Sequence, residues 1–335
     1  MDTITTILLW LLGLDVTGLV ITEIIHRVKA WRYSFSGKHV VITGGSSGLG
    51  LELAKRIAAE SAKVTIVARK IKLLETAKEE INAYCRSKGV MTPHVDIAVA
   101  DVCNKEDIQN AIVNDVRNNG TIDVIICNAG MAKTGYAFGQ TIQDYETSID
   151  VNYMGVVNTL FPIVPEMIRR KRGEVYLVGS TCSMLSYTGY IAYAPSKYAV
   201  KGLADGLRLE LHRNNIQVGC IYPPNMDTPC LKKENETKPE EGLFVEHYLE
   251  SLFSPADIAS RAIRHIKRGD PHIYCDVDTW GVALTSCSMG PHNNVFASVL
   301  FVIPAMIITN LFRLILLGIY KFKRFTGAER EKKWT

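Results

Sequence analysis

Tyr193 and Lys197 stand four residues apart in Tyr193-Ala194-Pro195-Ser196-Lys197. On a helix that spacing sets both side chains on one face. An ammonium beside a phenol favours the phenolate, which predicts a Tyr193 pKa below the ordinary value of about 10. A phenol so tuned can hand a proton to a carbonyl oxygen as hydride reaches the carbonyl carbon. Pro195 is compatible with the helix only in its first turn. Upstream, Ser180, Thr181 and Ser183 cluster at the end of the apolar run EVYLVGS and offer hydroxyls to the same oxygen.

A second chemical element lies near the start of the chain. The apolar run HVVITG leads straight into Thr43-Gly44-Gly45-Ser46-Ser47-Gly48-Leu49-Gly50. Glycines there let the backbone turn tightly and approach a pyrophosphate, and a helix opening beside Gly48 turns free N–H groups and its positive dipole end toward the phosphates. The next apolar run ends Val67-Ala68-Arg69-Lys70. An acidic residue at that point would bind the adenosine 2′-hydroxyl of NAD. None is present; Ala68 leaves room and Arg69 can fork onto a 2′-phosphate, which favours NADPH. Lys72 either assists or is an ordinary solvated lysine.

These residues need a scaffold. Between residues 37 and 278 short Val- and Ile-rich runs (HVVITG, KVTIVAR, VDIAVAD, DVIICNAG, EVYLVGS, QVGCIYP, HIYCD) alternate with amphipathic stretches such as 50–60 and 70–88. Short apolar runs without strict polar alternation read as strands buried on both faces of a parallel sheet. Their alternation with helices predicts a doubly wound, Rossmann-type α/β sheet with right-handed crossovers.

The glycine spacing TGxxxGxG differs from GxGxxG and resembles the short-chain dehydrogenase/reductase family. Other matches follow in order. Cys127-Asn128-Ala129-Gly130 is similar to the family's NNAG turn, with Cys in place of the first Asn. The resemblance implies that Asp101 contacts the adenine, that Asn152 positions a water, that Thr228 lies by the nicotinamide amide and that Lys197 holds the nicotinamide ribose. Ser180 stands thirteen residues before Tyr193, the family's spacing, which favours Ser180 over Thr181 and Ser183. The implied catalytic set is Asn152, Ser180, Tyr193 and Lys197. The implied cofactor site is Gly44, Ser46, Ser47, Gly48, Leu49, Gly50, Arg69, Lys72, Asp101, Asn128, Tyr193, Lys197 and Thr228. Pro224 stands where the family has Gly, so the local backbone there departs from the pattern.

Finer features resemble one branch of the family, the 3-ketodihydrosphingosine reductases: YPPNMDTP (222–229), ENETKPE (234–240), TGYIAYAPSKYAVKGLA and KRGDPHIYCDVDTWG. The substrate this implies is a long-chain sphingoid ketone. Residues 225–253 are the expected lid, where Leu243, Phe244, Tyr248, Leu249, Leu252 and Phe253 either line an alkyl chain or pack the lid helix. Membrane reductases of steroid, retinoid or fatty-acyl ketones would carry the same catalytic set, and a non-catalytic NADPH-binding scaffold belongs to a different class.

The 335 residues carry a formal net charge of only +4, which does not describe a nucleic-acid binder. The eight cysteines form no CxxC pair and no histidine pattern completes a metal site, so free thiols in a reducing compartment are expected. The ends differ from the middle. Residues 6–25 are mostly apolar, interrupted by Asp15 and Glu23, and are followed by His26, Arg27, Lys29, Arg32 and Lys38, a pattern predicting a membrane anchor with a cytosolic domain after it. Residues 296–320 are also apolar but carry Pro304, Asn310 and Arg313 and precede a basic tail. They span, re-enter, lie in the interface or pack on protein. Lys332 and Lys333 resemble a dilysine signal of endoplasmic reticulum membrane proteins. The expected organisation is an anchor and basic flank over 1–36, a catalytic domain over 37–285 and a membrane-associated segment and tail over 286–335. The expected location is the endoplasmic reticulum membrane with the domain facing the cytosol, where the sequon at Asn235 meets no glycosyltransferase. The family resemblance further implies a homo-oligomer paired through 144–170 and 195–212.

Overall fold

The computed structural model describes the backbone of residues 3–249 and 251–286, together with 293, 296, 298, 300–304, 306–308, 311 and 314; side chains are described from residue 15, except 248 and 249. The basic tail with Lys332 and Lys333, and Cys287, lie outside the described residues. So does much of the apolar segment 296–320, whose described residues up to 314 are helical.

Each of the seven apolar runs forms a strand. The chain order is α1 (Thr3–Arg32), β1 (His39–Thr43), α2 (Gly48–Ala58), β2 (Lys63–Ala68), α3 (Ile71–Ser87), β3 (His94–Val99), α4 (Lys105–Asn119), β4 (Val124–Cys127), α5 (Ile142–Ile149), α6 (Gly155–Leu160), α7 (Val164–Arg170), β5 (Gly173–Val178), α8 (Tyr193–Leu211), β6 (Ile216–Tyr222), α9 (Pro229–Asn235), α10 (Glu240–Leu249), α11 (Pro255–Arg268), β7 (His272–Tyr274) and α12 (Val277–Thr285). The strands make one parallel sheet in the order β3-β2-β1-β4-β5-β6-β7. Every residue of β1 and of β4 is buried, as strands covered on both faces must be. One core joins β1 and β2 to α2, α3 and α11, and a second fills the opposite face beneath α4, α6 and α8.

The chain leaves β1 toward β2 and β3, then crosses back to β4 on the other side of β1. The carboxyl ends of β1 and β4 therefore flank a topological switch point, where open α/β sheets bind ligands. The glycine turn follows β1 and the turn 128–130 follows β4, so topology brings the two to one crevice.

The basic flank is tied to the catalytic domain. Phe35 is fully buried in the first core. Tyr33 Oη donates to Glu174 at 2.8 Å and Lys38 pairs with Glu174 at 2.6 Å. Further up α1, Glu23 meets Arg268 at 2.8 Å, and His26 lies 3.7 Å from Asp270. Among the described residues no helix is long and apolar enough to cross a membrane. The expected anchor at 6–25 falls on α1, and the side chains of its first half lie outside the description.

Candidate active site

The glycine turn has the geometry a phosphate cradle requires. Gly44 and Gly48 have φ of +66° and +53°, in the left-handed region that favours glycine. A Cβ on Gly44 would also come within 2.8 Å of Ala129 Cα. Ser47 caps α2 without a side-chain hydrogen bond, whereas α4, α9, α11 and α12 are capped by Asn104, Thr228, Ser254 and Asp276. The first-turn N–H groups of α2 are thus left to a ligand, which fits a dinucleotide pyrophosphate. Ser46 and Ser47 stand on this turn; Leu49 faces the core, and Gly50 packs beneath the turn beside Asn128.

Asn128 acts on this site through the backbone. Its Nδ2 donates to the carbonyls of Thr43 and Gly44 at 3.1 Å each, while Thr43 Oγ1 accepts the N–H groups of Asn128 and Ala129. The turns after β1 and β4 are locked together. Thr228, 8% exposed, caps α9 through the Leu231 N–H, and its methyl would lie 3.2 Å from a Cβ on Gly48. The loop after β6 is therefore placed directly against the glycine turn. That loop, with Pro223 and Pro224, is pinned by backbone bonds from Phe253 to Asn225 and from Asp227 to Phe253, both 3.0 Å. These bonds hold the segment that carries Pro224.

At the end of β2, Arg69 is 71% exposed with its guanidinium 3.8 Å from Asp101, two residues past the end of β3. Lys72 is exposed in the first turn of α3. An exposed guanidinium beside a strand end with no carboxylate of its own fits a 2′-phosphate.

The four expected catalytic residues converge. Asn152 lies in a π-helical turn, residues 150–154, between α5 and α6. Its Oδ1 accepts the Met131 N–H, and its Nδ2 donates to the Met131 carbonyl and Ser196 Oγ, each at 2.9 Å. It joins the turn after β4 to α8. A Cβ on Gly130 would lie 3.1 Å from Asn152 Oδ1 and 3.3 Å from Lys197 Nζ, so glycine alone leaves those groups room. Lys197 Nζ donates to the Val178 carbonyl at 2.9 Å. The helix α8 begins at Tyr193, which puts Pro195 in its first turn as required.

Of the three hydroxyls after β5, Ser180 is the one that acts on the Tyr193 phenol, favouring its ionised form. Thr181 pairs with Thr279 at 2.9 Å, and Ser183 is fully buried.

Electrostatics correct one expectation. Burial holds the Tyr193 phenol well above its ordinary range, helped by Cys182 and Glu234, while the Ser180 hydroxyl works the other way. Burial also lowers Lys197 to about 8. The ammonium lies 5.8 Å from the centre of the Tyr193 ring and is spent partly on Val178. Desolvation therefore outweighs the ion that was expected to lower the phenol. Tyr193 holds its proton at neutral pH, which suits a proton donor.

Ser180 and Tyr193 open onto a cavity of about 550 Å³. Its walls include Met226, Leu231, Val245 and Phe253 from the lid, Trp280 and Leu284 from α12, and Phe301, Pro304 and Ile308 from the C-terminal stretch. Of the six expected lid residues Phe253 lines the cavity. Leu243 and Leu252 are 38% and 58% exposed, and Phe244 does not reach the wall. The side chains of Tyr248 and Leu249 lie outside the description. Val245, buried and on the wall, went unnoticed in the sequence although it continues the apolar run Leu243-Phe244; which member of such a run meets the cavity is set by how α10 is turned. The C-terminal wall was also missed, since nothing local in residues 301–308 marks contact with a site more than a hundred residues away.

The family profile described as short chain dehydrogenase matches residues 38–239. A 3-ketodihydrosphingosine reductase of Dictyostelium discoideum is 33% identical over 296 residues, covering 84% of this chain and 88% of that one. A 3-dehydrosphinganine reductase of Arabidopsis thaliana is 32% identical, covering 84% of each. Among solved structures, levodione reductase superposes with a TM-score of 0.65 at 24% identity, covering 72% of this chain and 95% of that one, which speaks for the fold. The glycine turn after β1, the convergence of Ser180, Tyr193 and Lys197, and these matches lead to one assignment: the chain belongs to the short-chain dehydrogenase family.

Proposed function

We propose that this chain reduces the 3-keto group of a long-chain sphingoid base to the alcohol, with NADPH as reductant. The observation that carries the reading is the cavity: a Ser180–Tyr193 pair at one end and apolar walls extending to Phe301, Pro304 and Ile308. A cavity so lined excludes water from the carbonyl and accepts an alkyl chain, each buried CH₂ contributing about 0.8 kcal/mol. Two relatives named above carry the sphingoid ketone in their names.

The residues divide the work. Ser180 and Tyr193 hold the carbonyl oxygen, and Tyr193, protonated at neutral pH, releases its proton to that oxygen as charge develops. The Lys197 ammonium steadies the resulting phenolate. Asn152 keeps the turn after β4 against α8, which fixes Lys197 and Tyr193 relative to the glycine turn. The α2 N-terminus, Arg69 and Thr228 would hold the dinucleotide, which supplies the hydride when bound.

The reading includes a membrane-associated enzyme of the endoplasmic reticulum with its domain toward the cytosol. What supports it is apolar surface beside the cavity: Ile303, Ile307 and Leu314 are each about two-thirds exposed, at 65%, 64% and 65%. The C-terminal helix thus turns one face to the cavity and another outward, so a chain could pass between lipid and site without entering water. A glycan on Asn235 in cells would overturn the cytosolic placement. A homo-oligomer belongs to the same reading, supported by Leu209 on α8 and Phe161 after α6, exposed by 77% and 68%.

The deciding experiment is NADPH oxidation by detergent-solubilised protein given 3-ketodihydrosphingosine, beside Tyr193→Phe and a panel of steroid, retinoid and fatty-acyl ketones. Tyr193-dependent turnover favouring the sphingoid ketone supports the reading. Turnover confined to another ketone discards the substrate, and NADPH binding without turnover of any ketone discards the enzyme.

A further inference from the structure

One carboxylate stands inside the cavity close to the catalytic tyrosine. Glu234, in the last turn of α9, lines the same cavity as Ser180 and Tyr193, and its side chain is only 11% exposed. Tyr190 Oη donates to Glu234 Oε1 at 2.5 Å, and Lys238 Nζ lies 3.0 Å from the same oxygen. Among the described residues Oε2 has no partner. The rings of Tyr190 and Tyr193 are 6.0 Å apart, so the carboxylate sits at the tip of the ring beside the reacting phenol.

The charge of this cluster is unbalanced. Lys238, with no exposed side chain, is shared between Glu234 and Glu246. One ammonium between two carboxylates leaves one negative charge. Buried charge is costly unless a partner of opposite sign shares it. A cavity built only for an alkyl ketone has no use for that charge.

A sphingoid ketone bears an amine on C2, and its nitrogen is three bonds from the C3 carbonyl oxygen. With that oxygen on Ser180 and Tyr193, the ammonium falls near the tyrosine, within the cavity that Glu234 also lines. We propose that Glu234 is the specificity-determining residue that receives the 2-ammonium of the substrate, selecting an α-amino ketone over a plain ketone of equal chain length. The proposal rests on the sphingoid reading above. Asp276 and Asp278 also face the cavity. Asp276 caps α12 through Oδ2, which accepts the Thr279 N–H at 3.2 Å; its Oδ1 is buried without a partner, but burial pushes this carboxyl above its ordinary value, toward the neutral acid, and Asp278 is exposed. Of the three, Glu234 is the one whose charge is felt at the Tyr193 phenol.

The test compares 3-ketodihydrosphingosine with its 2-deamino analogue, using the full chain, Glu234→Gln and Asp276→Asn. Unmodified protein should prefer the amino ketone in kcat/KM by about 10- to 100-fold, the range of one charged hydrogen bond. Glu234→Gln should lose that preference while keeping its rate on the deamino ketone within a few fold; Asp276→Asn should keep the preference. Equal loss on both substrates means that Glu234 acts through Tyr190, and that overturns the proposal. Loss of preference in Asp276→Asn alone also overturns it. A second measurement uses only unmodified protein: a long-chain alkylammonium should inhibit at about tenfold lower concentration than the alcohol of equal length, and equal inhibition defeats the proposal. Sphingoid turnover with an unmoved preference sinks the ammonium assignment alone. Absence of sphingoid turnover sinks the substrate reading and this inference together.

Discussion

Ser183 accepts the backbone N–H of Ser180 at 3.1 Å, which holds the turn after β5 so that the Ser180 hydroxyl meets Tyr193. Two serines three residues apart therefore have different tasks, and substitution should separate them. Ser180→Ala is expected to lower kcat by about 10²–10³, the loss of one preorganised donor to the developing oxyanion, with little change in melting temperature. Ser183→Ala is expected to cost about 1–3 kcal/mol of stability by leaving a buried N–H unpaired. Kinetics and thermal melts on both variants check this; matching profiles would refute the division.

Reduction should weaken as pH rises through about 8. Tyr193 stays protonated there, held up by burial, but Lys197 loses the charge that steadies the phenolate. Above that point kcat should fall about tenfold per pH unit. The sign for stability is opposite. Lys197 is lowered from 10.5 to about 8 in the fold, so the unfolded chain binds the extra proton between those values. Its contribution is fully present above 10.5 and is lost as pH falls through about 8. A pH–rate profile, with Tyr193→Phe as the inactive reference, decides the kinetic half.

On the proposed reading, Arg69→Ala should raise the KM for NADPH about 10- to 100-fold and leave that for NADH within a few fold, because the guanidinium, exposed and 3.8 Å from Asp101, would meet the 2′-phosphate that NADH lacks. Equal effects on both cofactors would mean that Arg69 acts instead by holding Asp101.

Asp115 forms a buried polar cluster beneath β1 and β2. Burial pushes its carboxyl up, but bonds from His39, Thr65 and Asn119 outweigh this and hold it below the ordinary value. A lowered carboxylate contributes stability above its unfolded pKa of about 4, lost as pH falls through the lower folded value. Asp115→Asn should cost about 1–3 kcal/mol at neutral pH and flatten the acid limb of the stability curve. Urea unfolding at pH 7 and pH 4 measures both effects.

Much of the fold and half of the site can be read from the sequence because those features are local. A Val- and Ile-rich run buried on both faces marks a parallel strand wherever it occurs, and all seven runs became strands. Gly44 and Gly48 declare a backbone that other residues resist, and the four-residue spacing of Tyr193 and Lys197 needs only a helix to be realised. The remainder depended on segments distant in sequence meeting in space. Thr279 occupies Thr181, which removes one rival of Ser180. Tyr193 is raised rather than lowered because desolvation is set by everything packed around it, including α9 and the turn after β5. The C-terminal stretch becomes a wall of the cavity, and Glu234 becomes the carboxylate beside the Tyr190 and Tyr193 rings, only once residues distant in sequence pack together, the lid against residues 188–190 ahead of α8. Sequence determines which backbone conformations and burial patterns are possible at each position; tertiary packing alone decides which polar atoms lose water and find one another, and those losses set the chemistry.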